Sequence, residues 1–440
     1  MSGPRPEEPS PVEAWLPGRV LVVGLARSGL AAAAALAGRG VQVVAADRSP
    51  DADVGRLGDL GVELRVGTEE EALLEGVELV VKSPGVPAES PLIGGARSRD
   101  IPVWSEVELG YRLLPAGSRL IGVTGTNGKT TTTELLGAIL RAAGRHAEVA
   151  GNVGRALTDA ALVAAEGSWI VCELSSFQLE DVHTLACDVA VLLNLEPDHL
   201  DRHGTLDAYR AAKLRIFERA RVKVVPRGFG IDGIEFSADD PLPAEPRIPG
   251  AHNRENAAAA TAAALAIGVP DEAIARALET FPGVEHRIEA VATLDGVLYV
   301  NDSKATNAAA ALRALASFPG RRKHVILGGR GKGESYGELA GAFAFDDRAY
   351  LIGEAAAELA AALDTAGAHY VRAGTLDRAF SEAAAAASKD DVVLLSPACA
   401  SFDQFDSFEQ RGEEFRRLVQ KLPGWGADEG RTAVRSSSDC

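Results

Sequence analysis

Gly122-Val123-Thr124-Gly125-Thr126-Asn127-Gly128-Lys129-Thr130-Thr131 is the stretch whose reading decides the fold. The apolar run Arg119–Val123 leads into it and the helix-forming segment Thr131–Ala143 follows, so a glycine-rich loop joins a buried strand to a helix. Small residues in such a loop let backbone N–H groups close around phosphates, and the helix N-terminus adds a partial positive charge. Lys129 is placed to meet β- and γ-phosphates, and a threonine hydroxyl to hold Mg²⁺. The strict spacing of such loops wants glycine at 123, where this chain has Val123. An ordinary strand-to-helix turn is the competing reading, and Gly-Lys-Thr at the place the mechanism needs argues against it.

Working outward, short apolar runs alternate with alanine- and leucine-rich segments, as parallel βα units do. Upstream, strands are expected at Val20–Val23, Val41–Ala46 and Glu78–Val81, with helices at Leu30–Ala37 and from Val103 to Pro115. Downstream, Trp169–Cys172 and Val189–Leu193 extend the central sheet, and a helix is expected over Leu206–Arg219. The segment from Pro226 to Pro249 reads as loop, and helices follow from Asn253 to Ala266 and Asp271 to Glu279. Beyond Pro282-Gly283, strands Val297–Val300, His324–Leu327, Tyr350–Ile352 and Val392–Leu395 alternate with helices again. The expected architecture is α/β with three domains, each on a mostly parallel sheet. Domains are expected at 18–115, 116–282 and 283–425, between a disordered segment 1–17 and a flexible tail 426–440. Clefts between such domains are where ligands usually sit.

Composition narrows the function. The 440 residues carry 45 Lys and Arg against 62 Asp and Glu, a formal charge of -17, which opposes a general nucleic-acid or anionic-membrane binder. No apolar run reaches the roughly 18 residues of a membrane span, and the N-terminus lacks a signal-peptide pattern. The four cysteines, Cys172, Cys187, Cys399 and Cys440, form no C-x-x-C. This excludes a cysteine zinc cluster and a disulfide scaffold, and suits a cytoplasmic protein.

Other candidate groups fall at strand ends. Glu173 ends a strand neighbouring the phosphate loop, where a carboxylate can hold Mg²⁺ on ATP, although a lone strand-end glutamate is usually just solvated. His199 lies in the turn after Val189–Leu193, within Asn194-Leu195-Glu196-Pro197-Asp198-His199-Leu200-Asp201. Lys213 shares a helical stripe with Leu206, Tyr209 and Phe217. It either snorkels to water or is held in a site, where burial would lower its pKa and a neutral amine could take up CO₂ as a carbamate. The last third supplies Glu285-His286-Arg287, Asn301 through Asn307, Gly328-Gly329-Arg330-Gly331-Lys332 and Ser396 through Phe405. Lysines, hydroxyls and glycine N–H groups at strand ends suit an anion such as a dicarboxylate. Near the N-terminus, Gly24-Leu25-Ala26-Arg27-Ser28-Gly29 resembles a dinucleotide fingerprint but has Ala26 at its second glycine, which favours another nucleotide-diphosphate pose over NAD.

On these motifs, over about residues 18 to 422, the chain resembles the Mur ligases of peptidoglycan synthesis. Gly-Thr-Asn-Gly-Lys-Thr-Thr and Glu-x-His-Arg are shared across the family. Gly151-Asn152-Val153-Gly154, Glu173 through Leu179, Tyr209 through Lys213, Asn301 through Asn307, Ser396 through Phe405 and Glu409-Gln410-Arg411-Gly412 resemble the branch that adds D-glutamate. The resemblance implies a Rossmann-like N-terminal domain, a phosphate-loop ATPase-like central domain and a Rossmann-like C-terminal domain. It implies that ATP phosphorylates the alanyl carboxylate of UDP-N-acetylmuramoyl-L-alanine and that the amine of D-glutamate displaces phosphate from the acyl phosphate.

By resemblance, Gly125, Thr126, Asn127, Gly128, Lys129, Thr130, Thr131, Asn256, Arg287 and Asp302 contact ATP. Thr130, Glu173, His199 and carbamylated Lys213 serve two Mg²⁺ ions. Arg27, Ser28, Asp47, Arg48, Gly85, Asn152 and His199 face the UDP substrate. Thr306 and Lys332 take the α-carboxylate of D-glutamate, Ser401 and the Phe408 backbone its side-chain carboxylate, and Lys304 lies beside the reacting groups. A monomer is implied. Ala26 and Arg27 stand where glycine and an apolar residue are usual, and the chain between Phe217 and Asn253 is short for the family, so a peripheral strand pair is expected to be missing. A sister ligase using L-glutamate or another amino acid, a non-catalytic nucleotide-sugar-binding homologue, and an NAD oxidoreductase are the alternatives. Lys129, Glu173, His199, Lys213 and Lys304 are all present, which opposes the non-catalytic one.

Overall fold

The computed structural model describes residues 16–152, 154–248, 250–331 and 333–425, so all but two residues of the expected segment 1–17, and the whole tail 426–440, lie outside the described residues. The chain divides into two compact units, one formed by residues up to 246 with 252–281, the other by 247–251 with the residues from 282 onward.

The first unit contains two parallel sheets. Strands β1 (Arg19–Val23), β2 (Gln42–Asp47), β3 (Glu63–Val66), β4 (Leu79–Lys82) and β5 (Val103–Ser105) pair in the order β3-β2-β1-β4-β5. The second sheet uses β6 (Arg119–Thr124), β7 (Ala147–Gly151), β8 (Trp169–Glu173), β9 (Val189–Leu192), β10 (Val222–Pro226) and β11 (Ile234–Phe236), in the order β11-β10-β9-β6-β8-β7. Val20–Val23 and Ile170–Cys172 are almost wholly buried, as strands covered on both faces must be. In each sheet the connections reverse direction beside the first strand, and a crevice opens there at the carboxyl ends.

One apolar core runs through both sheets, from Val20, Val22 and Leu36 through Val107, Leu109 and Leu157 to Leu120 and Ile170. Buried charges also join them. Glu108, on the helix Glu106–Arg112, accepts the backbone N–H groups of His183, Thr184 and Leu185. Lys82, fully buried, meets Asp181 at 2.7 Å, and Arg97 reaches the same carboxylate at 2.8 Å.

The second unit is one sheet of β12 (Glu289–Leu294), β13 (Val297–Asn301), β14 (Lys323–Gly328), β15 (Arg348–Ile352), β16 (His369–Gly374) and β17 (Val392–Leu395), in the order β12-β13-β17-β14-β15-β16. Only β12 runs antiparallel. Its hairpin turns at Asp295-Gly296, both at positive φ, the pair a two-residue turn of matching twist prefers.

Three local expectations change. Val103–Ser105 is a strand, not helix, because it pairs with β4 and buries Val103, and the helix begins only at Glu106. The expected loop from Pro226 to Pro249 contains β11, which pairs parallel to β10 across residues 227–233 alone, where a crossover of about a dozen residues is normal. The helix Leu206–Leu214 stops five residues short and tightens into a 3-10 turn at Arg215–Phe217, where Arg215 donates to the Glu180 and Val182 carbonyls. Leu206 is exposed, so the buried stripe is Tyr209, Ala212, Lys213, Ile216 and Phe217.

Glu106 gives a measurable consequence. It is fully buried, it accepts Thr158 N–H (2.7 Å) and Oγ1–H (2.5 Å), its second oxygen has no partner among the described residues, and burial lifts its pKa from 4.5 to about 7. A raised carboxyl pKa contributes stability in full below the unfolded value and loses it as pH rises through the folded one, at most about 3 kcal/mol here. Glu106→Gln is therefore expected to raise the melting midpoint at pH 8, with the gain largely gone by pH 4.5. Thermal melts at the two pH values check this, and an equal gain at both would contradict it.

Candidate active site

The phosphate loop lies at the carboxyl end of β6, between β8 and β9. Val123, at the position where strict spacing wants glycine, is still in β6, buried and in register with Glu173. The loop is laced to the turn after β9. Thr126 N–H donates to Asn194 O (3.2 Å), Asn127 N–H to Asn194 Oδ1 (2.8 Å), and Asn127 Nδ2 to Glu196 Oε2 (2.8 Å). The Thr126 hydroxyl lies 3.0 Å from Tyr209 Oη. Gly128 caps the helix Lys129–Ala142 at φ 82°, and a Cβ there would collide with Asn256 Oδ1. Asn256, expected from sequence near ATP, is thus packed against the loop.

Two lysines converge on one oxygen. Lys129 Nζ donates to Gly125 O (2.9 Å) and Thr126 O (2.8 Å), and Lys213 Nζ donates to the same Gly125 O (2.8 Å). Lys213 is 2% exposed. Burial first, then repulsion from Lys129, brings its pKa from 10.5 to about 7, against the pull of Asp198 and Glu173. Much of the amine is therefore neutral near pH 7, so the sequence alternative of a snorkelling lysine is set aside.

Around this pair, Glu173 is buried at the end of β8 and accepts from Asn152 Nδ2 (3.2 Å). Thr130 and Thr131 are buried in the first helical turn. His199 adopts φ 52° and is exposed; its N–H donates to Asp198 Oδ1 and its ring lies 4.9 Å from Phe177. His203, which sequence reasoning passed over, stacks on Phe177 (5.3 Å) and meets Ser176 Oγ at 2.9 Å. Arg202 covers the other part of this cluster, 4.2 Å over Phe177, and donates to Val86 O. Asn194 was also missed as an individual residue; its place directly after a strand was the available signal.

Of the UDP-side candidates, Asp47 accepts Leu25 N–H (2.7 Å) and Ser49 N–H (2.8 Å), which fixes the loop after β1. Ser83 Oγ donates to Gly24 O (2.7 Å), tying that loop to the one after β4. Arg27 donates to Gly154 O (2.8 Å), and Ser28 is half-buried in the same turn. Arg48 and Gly85 are exposed at the rim.

In the second unit, Asp302 is buried and accepts Ile288 N–H (3.1 Å) and Ser396 Oγ–H (2.7 Å); burial lifts its pKa to about 6 against those bonds and the nearby Arg287. Arg287 Nε is buried without a partner among the described residues. Lys304 Nζ lies 5.9 Å over the Phe408 ring. Thr306 is in the loop after β13, Ser401 is buried in the loop after β17, and Phe408 opens the helix Phe408–Gln420. Lys332 lies outside the described residues.

A phosphate-cradling loop with paired lysines, on one of three mostly parallel sheets, defines a nucleotide-dependent ligase architecture, and the chain belongs to the Mur ligase family. Family models match for the MurD-like N-terminal domain over residues 18–105, the Mur ligase middle domain over 123–228 and the Mur ligase glutamate ligase domain over 286–399. A curated relative from Koribacter versatilis, named UDP-N-acetylmuramoylalanine–D-glutamate ligase, is 40% identical over 92% of this chain and 97% of its own. In fold, the chain is similar to UDP-N-acetylmuramate-alanine ligase MurC from Thermotoga maritima (TM-score 0.58, 20% identity, 91% of this chain and 99% of that one). It is also similar to MurF ligase from Thermotoga maritima solved with ADP (TM-score 0.54, 19% identity, 80% and 91%).

Gly128→Ala is expected to place a methyl group against Asn256 and to strain the left-handed cap, for a cost of roughly 1–3 kcal/mol. Nucleotide affinity should fall at least tenfold with far-UV circular dichroism unchanged; calorimetric titration with ADP measures it, and unaltered affinity would show that the loop tolerates the group.

Proposed function

We propose that this protein is an ATP-dependent ligase that joins D-glutamate to UDP-N-acetylmuramoyl-L-alanine. One observation carries the reading: a phosphate loop whose two lysines meet at Gly125 O, in a chain that matches D-glutamate ligases over nearly their whole length. Lys129 neutralises the transferring phosphoryl group, and the loop N–H groups and helix terminus orient it. The alanyl carboxylate attacks the γ-phosphorus, ADP leaves, and the glutamate amine then displaces phosphate from the acyl phosphate to form the amide. Such chemistry needs charge neutralisation and positioning more than a protein nucleophile. Asn256, Arg287 and Asp302 are assigned to ATP. Arg27, Ser28, Asp47, Arg48, Gly85, Asn152 and His199 are assigned to the UDP substrate. Thr306, Lys332, Ser401 and the Phe408 N–H are assigned to D-glutamate, with Lys304 beside the reacting groups.

The donors fit magnesium bound together with phosphates. Among the described residues no three His, Cys, Asp or Glu side chains form a metal cage. The Thr130 hydroxyl, Glu173 and a Lys213 carbamate would supply hard oxygen ligands and His199 a borderline nitrogen, with phosphate oxygens and water taking the remaining positions. The support for the carbamate is the buried Lys213 amine, whose pKa burial brings down to about 7. Magnesium supplies charge neutralisation on the phosphates. No helix among the described residues is long and apolar enough to cross a membrane, and Cys172, Cys187 and Cys399 are free and buried. A cytoplasmic monomer remains part of this proposal.

Phosphate release from ATP is expected only when UDP-N-acetylmuramoyl-L-alanine and D-glutamate are both present, with L-glutamate inert. Release without amide product, or equal use of both enantiomers, overturns the assignment. Lys129→Ala should lower kcat at least a hundredfold, and near-normal turnover would remove it from the phosphate site. Lys213→Ala should lose most activity and regain part of it in acetate; full activity without acetate contradicts the carbamate.

A further inference from the structure

The second unit holds a buried cation that the phosphate chemistry does not use. Arg411, on the helix Phe408–Gln420, has no exposed surface. Its Nε donates to Ser303 Oγ (3.0 Å), and its Nη2 to Ser303 O (2.9 Å) and Cys399 O (3.2 Å). All three acceptors are neutral, and its Nη1 is buried with no partner among the described residues. That nitrogen lies 3.2 Å from where a Cβ would stand at Gly329, a residue at φ 137° whose place no side chain can fill because Ala400 O closes it off. Burial pulls the guanidinium down to about 10, and Asp403 and Asp302 act on it only at range. A buried cation without a contacting carboxylate is costly and is usually paired.

The segments it bonds follow β13 (Ser303) and β17 (Cys399), adjacent strands of one sheet, and the loop after β14 passes beside it at Gly329. Ser303 Oγ–H donates to Phe408 O (2.7 Å), closing the ring back onto Arg411's own helix. Thr306, Ser401 and Phe408 lie on these same segments or at that helix start.

We propose that Arg411 is a positioning residue that makes the amino-acid subsite select a side chain bearing a carboxylate, because the incoming anion offsets the unpaired buried charge. The inference rests on the ligase reading. A neutral amide of the same shape gains no such attraction. Arg411 also fixes the Ser303 and Cys399 backbones, so its loss loosens the pocket while leaving the phosphate loop of the other unit intact.

The test uses the full chain and its Arg411→Met and Arg411→Lys variants, with D-glutamate and D-glutamine as competing amino acids. The unmutated protein should prefer D-glutamate strongly in kcat/KM. Arg411→Met should cut that preference roughly tenfold or more, with KM for D-glutamate rising more than KM for ATP. Arg411→Lys, which keeps the charge, should retain most of the preference. On the unmutated protein alone, D-glutamate should raise the melting midpoint more than D-glutamine at equal concentration. An unchanged preference in Arg411→Met, a parallel loss of ATP affinity, or equal melting shifts by the two amino acids overturns the proposal. If the unmutated protein joins D-glutamate and the preference survives in Arg411→Met, this inference fails alone. If it joins no amino acid, the ligase reading fails and this inference falls with it.

Discussion

Two lysine side chains share the carbonyl oxygen of Gly125, and the rest of the active region depends on that crowding. Like charges at such separation repel, more strongly away from bulk water. The fold keeps them together by burying Lys213 on a helix that reaches the loop from far along the chain, with Tyr209 bridging to Thr126. The two charges respond differently. Lys129 is braced by a second carbonyl, whereas Lys213 gives up affinity for its proton. A polyanion brought to this loop relieves the repulsion, so the conflict that lowers one pKa also draws a nucleotide.

All three sheets place their chemistry at the carboxyl ends of strands. In the first sheet, Ser83 and Asp47 shape the loop after β1. In the second, β8 and β9 flank β6 and deliver Glu173 and Asn194 to either side of the phosphate loop. In the third, the loops after β13 and β17 are joined by a single guanidinium. The sheets set positions to within a hydrogen bond, and the loops supply the functional groups.

Most of the interior of this architecture was readable in the sequence; the inner strand β10, whose short run is broken by Lys223, and the margins were not. Runs such as Val20–Val23 and Val392–Leu395 are apolar because both faces are covered, and the search for such runs found them. Every sheet edge escaped it: β3, β5, β7, β11, β12 and β16. An edge strand is half wet, so Glu63–Val66 or Glu289–Leu294 carries charge where an inner strand carries valine. The hairpin joining β12 to β13 did leave a signal in Asp295-Gly296, which an apolar-run search passes over. In the active region, the Gly-Lys-Thr spacing was local and therefore legible. Lys213 was left open between two readings, because its burial and its neighbour Lys129 exist only once the helix is docked. Asn194 and His203 act through contacts with distant segments, which single residues do not announce.

The buried Lys82–Asp181 pair has an evolutionary consequence. Replacing Asp181 leaves the fully buried Lys82 with only Glu180 at 3.6 Å, and replacing Lys82 leaves Asp181 to Arg97 alone, whereas exchanging both for well-packed neutral residues can be close to harmless. Between those two sequences lies a valley that single substitutions cross only with difficulty. Descendants of this chain should therefore keep the pair or lose it as a unit, so the two positions are expected to drift together across lineages.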